Sequence, residues 1–197
     1  MADIFLRLNC TDNVSAKQNE IVERINAGPK VGFWIYGKKG IFCLVRNGED
    51  AIASIGYVCH VDGDSVQETL TQILTLFHES QIGELKKKLV GQYVVLIKKG
   101  QSIYIFSDFM GVRNIFYSDD GLAVSSSFSQ VEDLLQTSSS DLDMYKVLEM
   151  LAMRHILYPA WLGRSTYHRS IKWLLPYEYL AIDMANSGFK FGQQKDC

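Results

Sequence analysis

A strong charge of either sign is missing. Lys and Arg number 20 against 22 Asp and Glu, a formal net charge of −2. Nucleic-acid binding needs a basic face, which this balance does not supply. The short basic clusters, Lys86-Lys87-Lys88 and Lys98-Lys99, read as a solvated helix end and a hairpin turn. Long apolar runs are missing too. Near the start, Ile4-Phe5-Leu6 is broken by Arg7, against the ~7–15 apolar residues of a secretory signal. No window approaches the ~18 residues of a membrane span, so no membrane partner is expected and the cytoplasm is the expected location. Paired cysteines are also absent. Cys10, Cys43, Cys59 and Cys197 form no C-x-x-C and read as reduced, small apolar residues. His60 follows Cys59 without a second such pair, so no metal site is expected, and no cofactor either. Repeats and linkers are lacking, and residues 137–140 (TSSS) are the only low-complexity stretch.

What is present is apolar patterning. Of 197 residues, 47% are hydrophobic, enough for one domain with a substantial core. Strands are expected at 3–9, 31–36, 41–45 and 52–59, with turns at 37–40 and 47–50. Asn47-Gly48 can supply the positive φ angles of a tight hairpin. Residues 15–27 carry Ile21, Val22 and Ile25 at helical spacing, with Gly28-Pro29 as a stop. Ser65 can cap a helix over 66–79, where Val66, Leu70, Ile73, Leu74 and Phe77 share a face. A short helix follows at 83–89. Asp141 can cap another, with Leu142, Tyr145, Leu148, Leu151 and Ala152 among its apolar positions.

The most specific stretch is 89–127. Apolar runs at 93–97 and 103–106 flank the turn Lys98-Lys99-Gly100-Gln101, and Asp108-Phe109-Met110-Gly111 turns the chain again. A second pair of runs, 115–117 and 122–125, flanks Ser118-Asp119-Asp120-Gly121, and a helix is expected over 128–135. Asp108 is expected to accept backbone hydrogen bonds in its own turn, Gly111 to permit the bend and Pro176 to shape another. Tyr93, Phe106, Phe116, Phe5, Phe33 and Trp34 are core candidates.

Leu89-Val90-Gly91-Gln92-Tyr93, then Phe106-Ser107-Asp108-Phe109-Met110-Gly111-Val112-Arg113-Asn114-Ile115-Phe116-Tyr117, resembles the amino-terminal glutamine-amidotransferase domain of the asparagine synthetase family. There a Leu-x-Gly-x-Phe strand precedes Ala-Arg-Asp-x-x-Gly-x-x-Pro-Leu-Tyr-Tyr. Asp108, Gly111 and Tyr117 match at the right spacing, while Ser107 replaces Arg and Asn114 replaces Pro. Downstream, Thr166, Ile171, Leu174, Pro176 and Leu180 match the family's Thr-Leu-Phe-x-x-Ile-x-x-Leu-x-Pro-Gly-x-x-Leu, and Tyr177 replaces its Gly. The resemblance is best over 50–185. It implies an α+β fold, the four-layer α-β-β-α sandwich of the N-terminal-nucleophile (Ntn) hydrolases, over a single domain 1–197.

The resemblance also implies a chemistry, and the matching positions depart from it. Family glutaminases use a Cys at the mature N-terminus, with its own amine as the base. Here Ala2 follows Met1 and has no nucleophilic atom. Cleavage after Asn9 would free Cys10, but Thr11-Asp12-Asn13 does not resemble the family's Gly-Ile, and the cut would destroy a strand. The family's Asn-Gly oxyanion pair falls by register on Ile55-Gly56, where only Gly56 matches. Asn47-Gly48-Glu49 fits the letters better but reads as a hairpin turn. Asp62 and Asp64 lie near the place of the acidic residue that holds the substrate's amine, without a clear equivalent. His155 and His168 lie near no Gly-x-Ser-x-Gly elbow. The pyrophosphate-binding Ser-Gly-Gly-x-Asp-Ser run of the synthetase half does not occur.

The expectation is a catalytically degenerate amidotransferase-like domain. It would be a scaffold or docking module for an asparagine-synthetase-like ATP-dependent domain or protein, with a homo-oligomer left open. The alternatives are a glutamine amidohydrolase exposing Cys10 and a small-molecule binding module reusing the old glutamine pocket. Gly91, Asp108, Gly111, Arg113, Thr166 and Pro176 are expected to be structural.

Overall fold

A computed structural model describes residues 3–8, 21–26, 31–36, 42–61, 65–136, 141–153, 163–185 and 188–193. Twelve strands among them form two six-stranded antiparallel sheets. The first contains β1 (Asp3–Leu8), β2 (Ile21–Asn26), β3 (Val31–Tyr36), β8 (Phe116–Ser118), β9 (Ala123–Ser125) and β10 (Ile171–Trp173), in the order β10-β8-β9-β1-β3-β2. The second contains β4 (Phe42–Asn47), β5 (Asp50–His60), β6 (Leu89–Lys99), β7 (Ser102–Ser107), β11 (Glu178–Asp183) and β12 (Gly188–Gln193), in the order β12-β11-β7-β6-β5-β4.

Hairpin chemistry sets the second sheet's register. Asn47 pairs with Asp50 and Lys99 with Ser102, so each loop is two residues beginning with a glycine. Gly48 has φ +61° and Gly100 φ +56°, as the hairpin class with glycine at its first central position requires. Asn47 itself is the last strand residue rather than a loop residue. Strand β12 was not expected from the sequence. It pairs with β11, and the Tyr179 ring fills the space where Gly192 has no side chain.

The period-2 alternation then divides each strand between two cores. Ala51, Ala53 and Ile55 of β5 join Val94, Leu96, Ile103, Ile105, Leu180 and Ile182 in a cluster that also holds Tyr117 and Val124 of the first sheet. The two sheets therefore share a core. The intervening residues Ile52, Val58, Tyr93, Val95, Ile97 and Phe106 pack instead with Leu70, Ile73 and Leu74 of α1 (Val66–Leu76) and Ile82 of α2 (Ile82–Lys88). A third cluster joins Phe116, Ala123 and Ile171 to Val131 of α3 (Phe128–Leu135). Each fully buried aliphatic side chain contributes ~1.5–3 kcal/mol before entropic costs.

Helix α1 starts on a complete capping box. The Ser65 hydroxyl accepts from the Glu68 amide at 3.3 Å, and the Glu68 carboxylate accepts from the Ser65 amide at 3.1 Å. Ser65→Ala is expected to lower stability by ~1 kcal/mol, read from the midpoint of urea unfolding. The helix stops at Leu76, short of the expected Glu79, because Phe77 turns extended.

Two expectations are corrected. Residues 21–26 are strand β2, paired with β3 along its length, where helical spacing suggested helix over 15–27; residues 15–20 lie outside the described residues. Ile21, Val22 and Ile25 are β-branched, and a ready strand partner outweighs their weak helix preference. Helix α4 (Met144–Met153) is capped by Asp143, not Asp141: the Asp143 carboxylate accepts from the Tyr145 and Lys146 amides at 3.1 and 3.3 Å. No helix among the described residues is long and apolar enough to cross a membrane.

Candidate functional site

The two motif segments meet. Strand β7 ends where the Asp108 amide donates to the Tyr93 carbonyl at 3.0 Å. The buried Asp108 carboxylate then accepts from the Val112 and Arg113 amides, each at 3.0 Å, and the Gly111 amide donates to the Asp108 carbonyl at 3.0 Å. This is a turn held by its own acidic side chain. Gly111 sits at φ +64°, and a β-carbon there would lie 2.5 Å from Pro176 Cγ. Gly111 and Pro176, 65 residues apart by number, are thus in direct contact through the missing side chain.

Lys86 completes the junction. Its ammonium donates to the Pro176 carbonyl and lies 5.9 Å from the centre of the Phe106 ring. At 1% exposure it is no solvated helix end, which corrects that part of the basic-cluster reading; Lys87 and Lys88 are exposed. Lys98 is likewise buried and donates to the Glu49 carbonyl at 2.5 Å. A buried ammonium must spend its donors on oxygen acceptors, and a carbonyl at a turn supplies one.

Gly56 and Gly91 make the other half of the cluster. They lie on β5 and β6 at φ +93° and +134°. A β-carbon on Gly56 would stand 2.1 Å from the Gln92 carbonyl oxygen, and one on Gly91 would stand 2.1 Å from the Tyr57 carbonyl oxygen. The two strands approach here as only glycine allows. Arg113 lies beside them, its Nε 3.4 Å from the β-carbon position of Gly56. Half-buried, its guanidinium has no ion pair or side-chain hydrogen bond among the described residues.

Of the residues singled out in the sequence, Gly56, Gly91, Asp108, Gly111, Arg113 and Pro176 are therefore brought together. Thr166 is occupied elsewhere. Its hydroxyl donates to the Ile171 carbonyl at 2.7 Å and accepts from the His168 amide at 3.1 Å. Ile55, expected from the resemblance to stand at the oxyanion-donor position, is 0% exposed and belongs to the core shared by the sheets. Ser107, which replaces Arg in the resemblance, is buried as well. Ala2, Cys10, Asp62, Asp64 and His155 lie outside the described residues. Cys43 and Cys59 are free and half-buried, and burial raises the Cys43 thiol above its ordinary range. Among the described residues no group of three His, Cys, Asp or Glu could hold a metal ion.

Two buried groups complete the setting. The Tyr93 hydroxyl has no hydrogen-bond partner among the described residues; burial, then the Asp108 carboxylate, raise its pKa and keep the phenol neutral. His168 is buried, and neither ring nitrogen is hydrogen-bonded among the described residues. Sequence reasoning also missed Arg164, which pairs with the fully buried Glu178 and stacks 5.0 Å from the centre of the Phe191 ring. Arg164 and Glu178 are 14 residues apart, and no local spacing rule joins them.

No family model matches the chain, and no curated protein does. Among solved structures it is similar to a glutamine phosphoribosylpyrophosphate (PRPP) amidotransferase from B. subtilis complexed with ADP and GMP, at 14% identity and a TM-score of 0.48. The likeness covers 100% of this chain and 43% of that one. A score of that size leaves the assignment to the chain's own residues.

Proposed function

We propose that this chain is a catalytically degenerate glutamine-amidotransferase-like domain of the asparagine synthetase kind, serving as a scaffold or docking module for an ATP-dependent amide-forming synthetase. The fold in this proposal is the four-layer α-β-β-α sandwich of the Ntn hydrolases. Its support is the apolar partition: one core joins the two sheets, a second joins β5, β6 and β7 to α1 and α2, and a third joins β8, β9 and β10 to α3. The kinship is supported by the contact between the two motif segments. Asp108 closes its turn, Gly111 receives Pro176, and Gly56 and Gly91 lie alongside through Arg113.

One observation carries the loss of activity. Ile55 fills the place where the family sets an oxyanion-donating Asn, and its side chain is wholly inside the core. A hydrocarbon there donates nothing, and a missing oxyanion donor costs about 10²–10³ in turnover. Ammonia release from glutamine by the full chain with its native N-terminus is expected to stay at background. Release above background would overturn the proposal.

A further inference from the structure

We propose that the surface around Arg113 docks a segment of a partner protein that presents one carboxylate flanked by apolar side chains. The inference rests on the docking reading above and names the face and the chemistry of its partner.

The surface follows from strand register. Ile55 and Val94 of β5 and β6 point into the core between the sheets, and one step along the same face stand Tyr57 and Gln92, with Val90 another step on. Here the face is no longer covered: Tyr57 is 67% exposed and Val90 53%. Arg113 adjoins this end of β5 at Gly56. Its neighbours in the turn, Phe109, Met110 and Val112, are exposed, Met110 by 77%. The contact of Gly111 with Pro176 adds the exposed Tyr177. Six exposed large apolar residues thus lie in the turn that leads to Arg113 or on the segments this turn adjoins, and among the described residues the guanidinium has no ion pair.

Monomeric surfaces rarely gather apolar groups in this way unless something binds there. Tyr, Phe, Met and Arg are also the residue types enriched where proteins dock. Covering the patch would take the half-buried guanidinium further from water, and that demands an opposite charge. The Asp108 carboxylate is already spent on two backbone amides. The partner must therefore bring the acid, and a planar guanidinium suits a carboxylate in two-point contact. The apolar rim calls for apolar neighbours on either side of it.

The test begins with random linear dodecapeptides displayed on phage and selected on the full chain. A selected peptide, and its counterpart with the acid changed to the matching amide, are then titrated by fluorescence anisotropy. Targets are the wild type, Arg113→Gln and Met110→Glu, with unfolding midpoints measured for each. Selection of an acid between apolar residues is expected. Loss of the peptide's charge, Arg113→Gln and Met110→Glu should each weaken binding by about tenfold or more. The amide peptide needs no protein variant, so misfolding cannot mimic its effect. Selection of nothing, selection of peptides without a carboxylate, or unchanged binding to Arg113→Gln would overturn the proposal. So would protection of Met110 from oxidation in the monomer, which makes another part of this chain the occupant. A dimer broken by Met110→Glu would make a second copy the occupant and overturn it equally. Glutaminase activity would remove the degenerate-domain reading and leave these binding outcomes as they stand.

Discussion

Gly56→Ala is expected to destabilise the chain by ~2–5 kcal/mol, a large share of the ~5–15 kcal/mol that holds a domain folded. Two effects add. The residue sits at φ +93°, where an L side chain is strained. Its new methyl would also stand 2.1 Å from the Gln92 carbonyl oxygen, a backbone atom locked in the β5–β6 ladder. No rotamer change relieves that contact, so the strands must separate. Gly48→Ala is the control. It shares a positive φ of +61° but meets nothing within 4 Å, so the expected loss is only the ~1–2 kcal/mol of the left-handed backbone. Urea unfolding of the two variants separates strain from collision. Equal losses would mean that the close approach of β5 and β6 contributes nothing.

Asp108→Ala is expected to cost ~2–4 kcal/mol, because hydrogen bonds to a charged acceptor are strong and their loss strands buried donors. The Val112 and Arg113 amides lose their acceptor. The effect should spread, since Gly111 in the same turn is the seat of Pro176, and the Pro176 carbonyl is the acceptor for buried Lys86. Asp108→Asn keeps one acceptor oxygen and turns a donor toward the second amide, so it should fall between wild type and Ala. Hydrogen exchange is the direct readout. Val112 and Arg113 should lose protection in Asp108→Ala while the core amides of β6 keep theirs. Unchanged protection at both would remove Asp108 from its structural role.

Both sites were visible in the sequence to different depths. The turn at Asp108 was legible because its chemistry is local: an acidic side chain, a glycine three residues on and amides within five residues. The hairpins at Gly48, Gly100 and Gly121 were legible for the same reason. So was α1, where a capping box and a 3.6-residue apolar period agree. The role of Gly56 was not legible as packing. Its register against a family motif marked the position, but the cause is the Gln92 carbonyl 36 residues away. Helical spacing at 21–25 misled because three β-branched residues fit either period, and pairing with β3 decided between them.

The candidate surface divides in the same way. Composition gave no expectation of a basic nucleic-acid face, and the motif letters marked Asp108, Gly111, Arg113 and Pro176. Nothing in those letters said that Lys86 is buried against Pro176, that Arg113 lies beside Gly56 with no ion pair among the described residues, or that Tyr57, Met110 and Tyr177 are left exposed. Where capping, turn glycines and strand alternation act within a few residues, the sequence by itself determined the local conformation; at 21–26, where the pattern fits either period, it did not. Tertiary structure alone decided which turns touch, which lysine is buried and which apolar residues remain uncovered. Those outcomes depend on contacts between segments far apart in the chain, and no short window of sequence contains both partners.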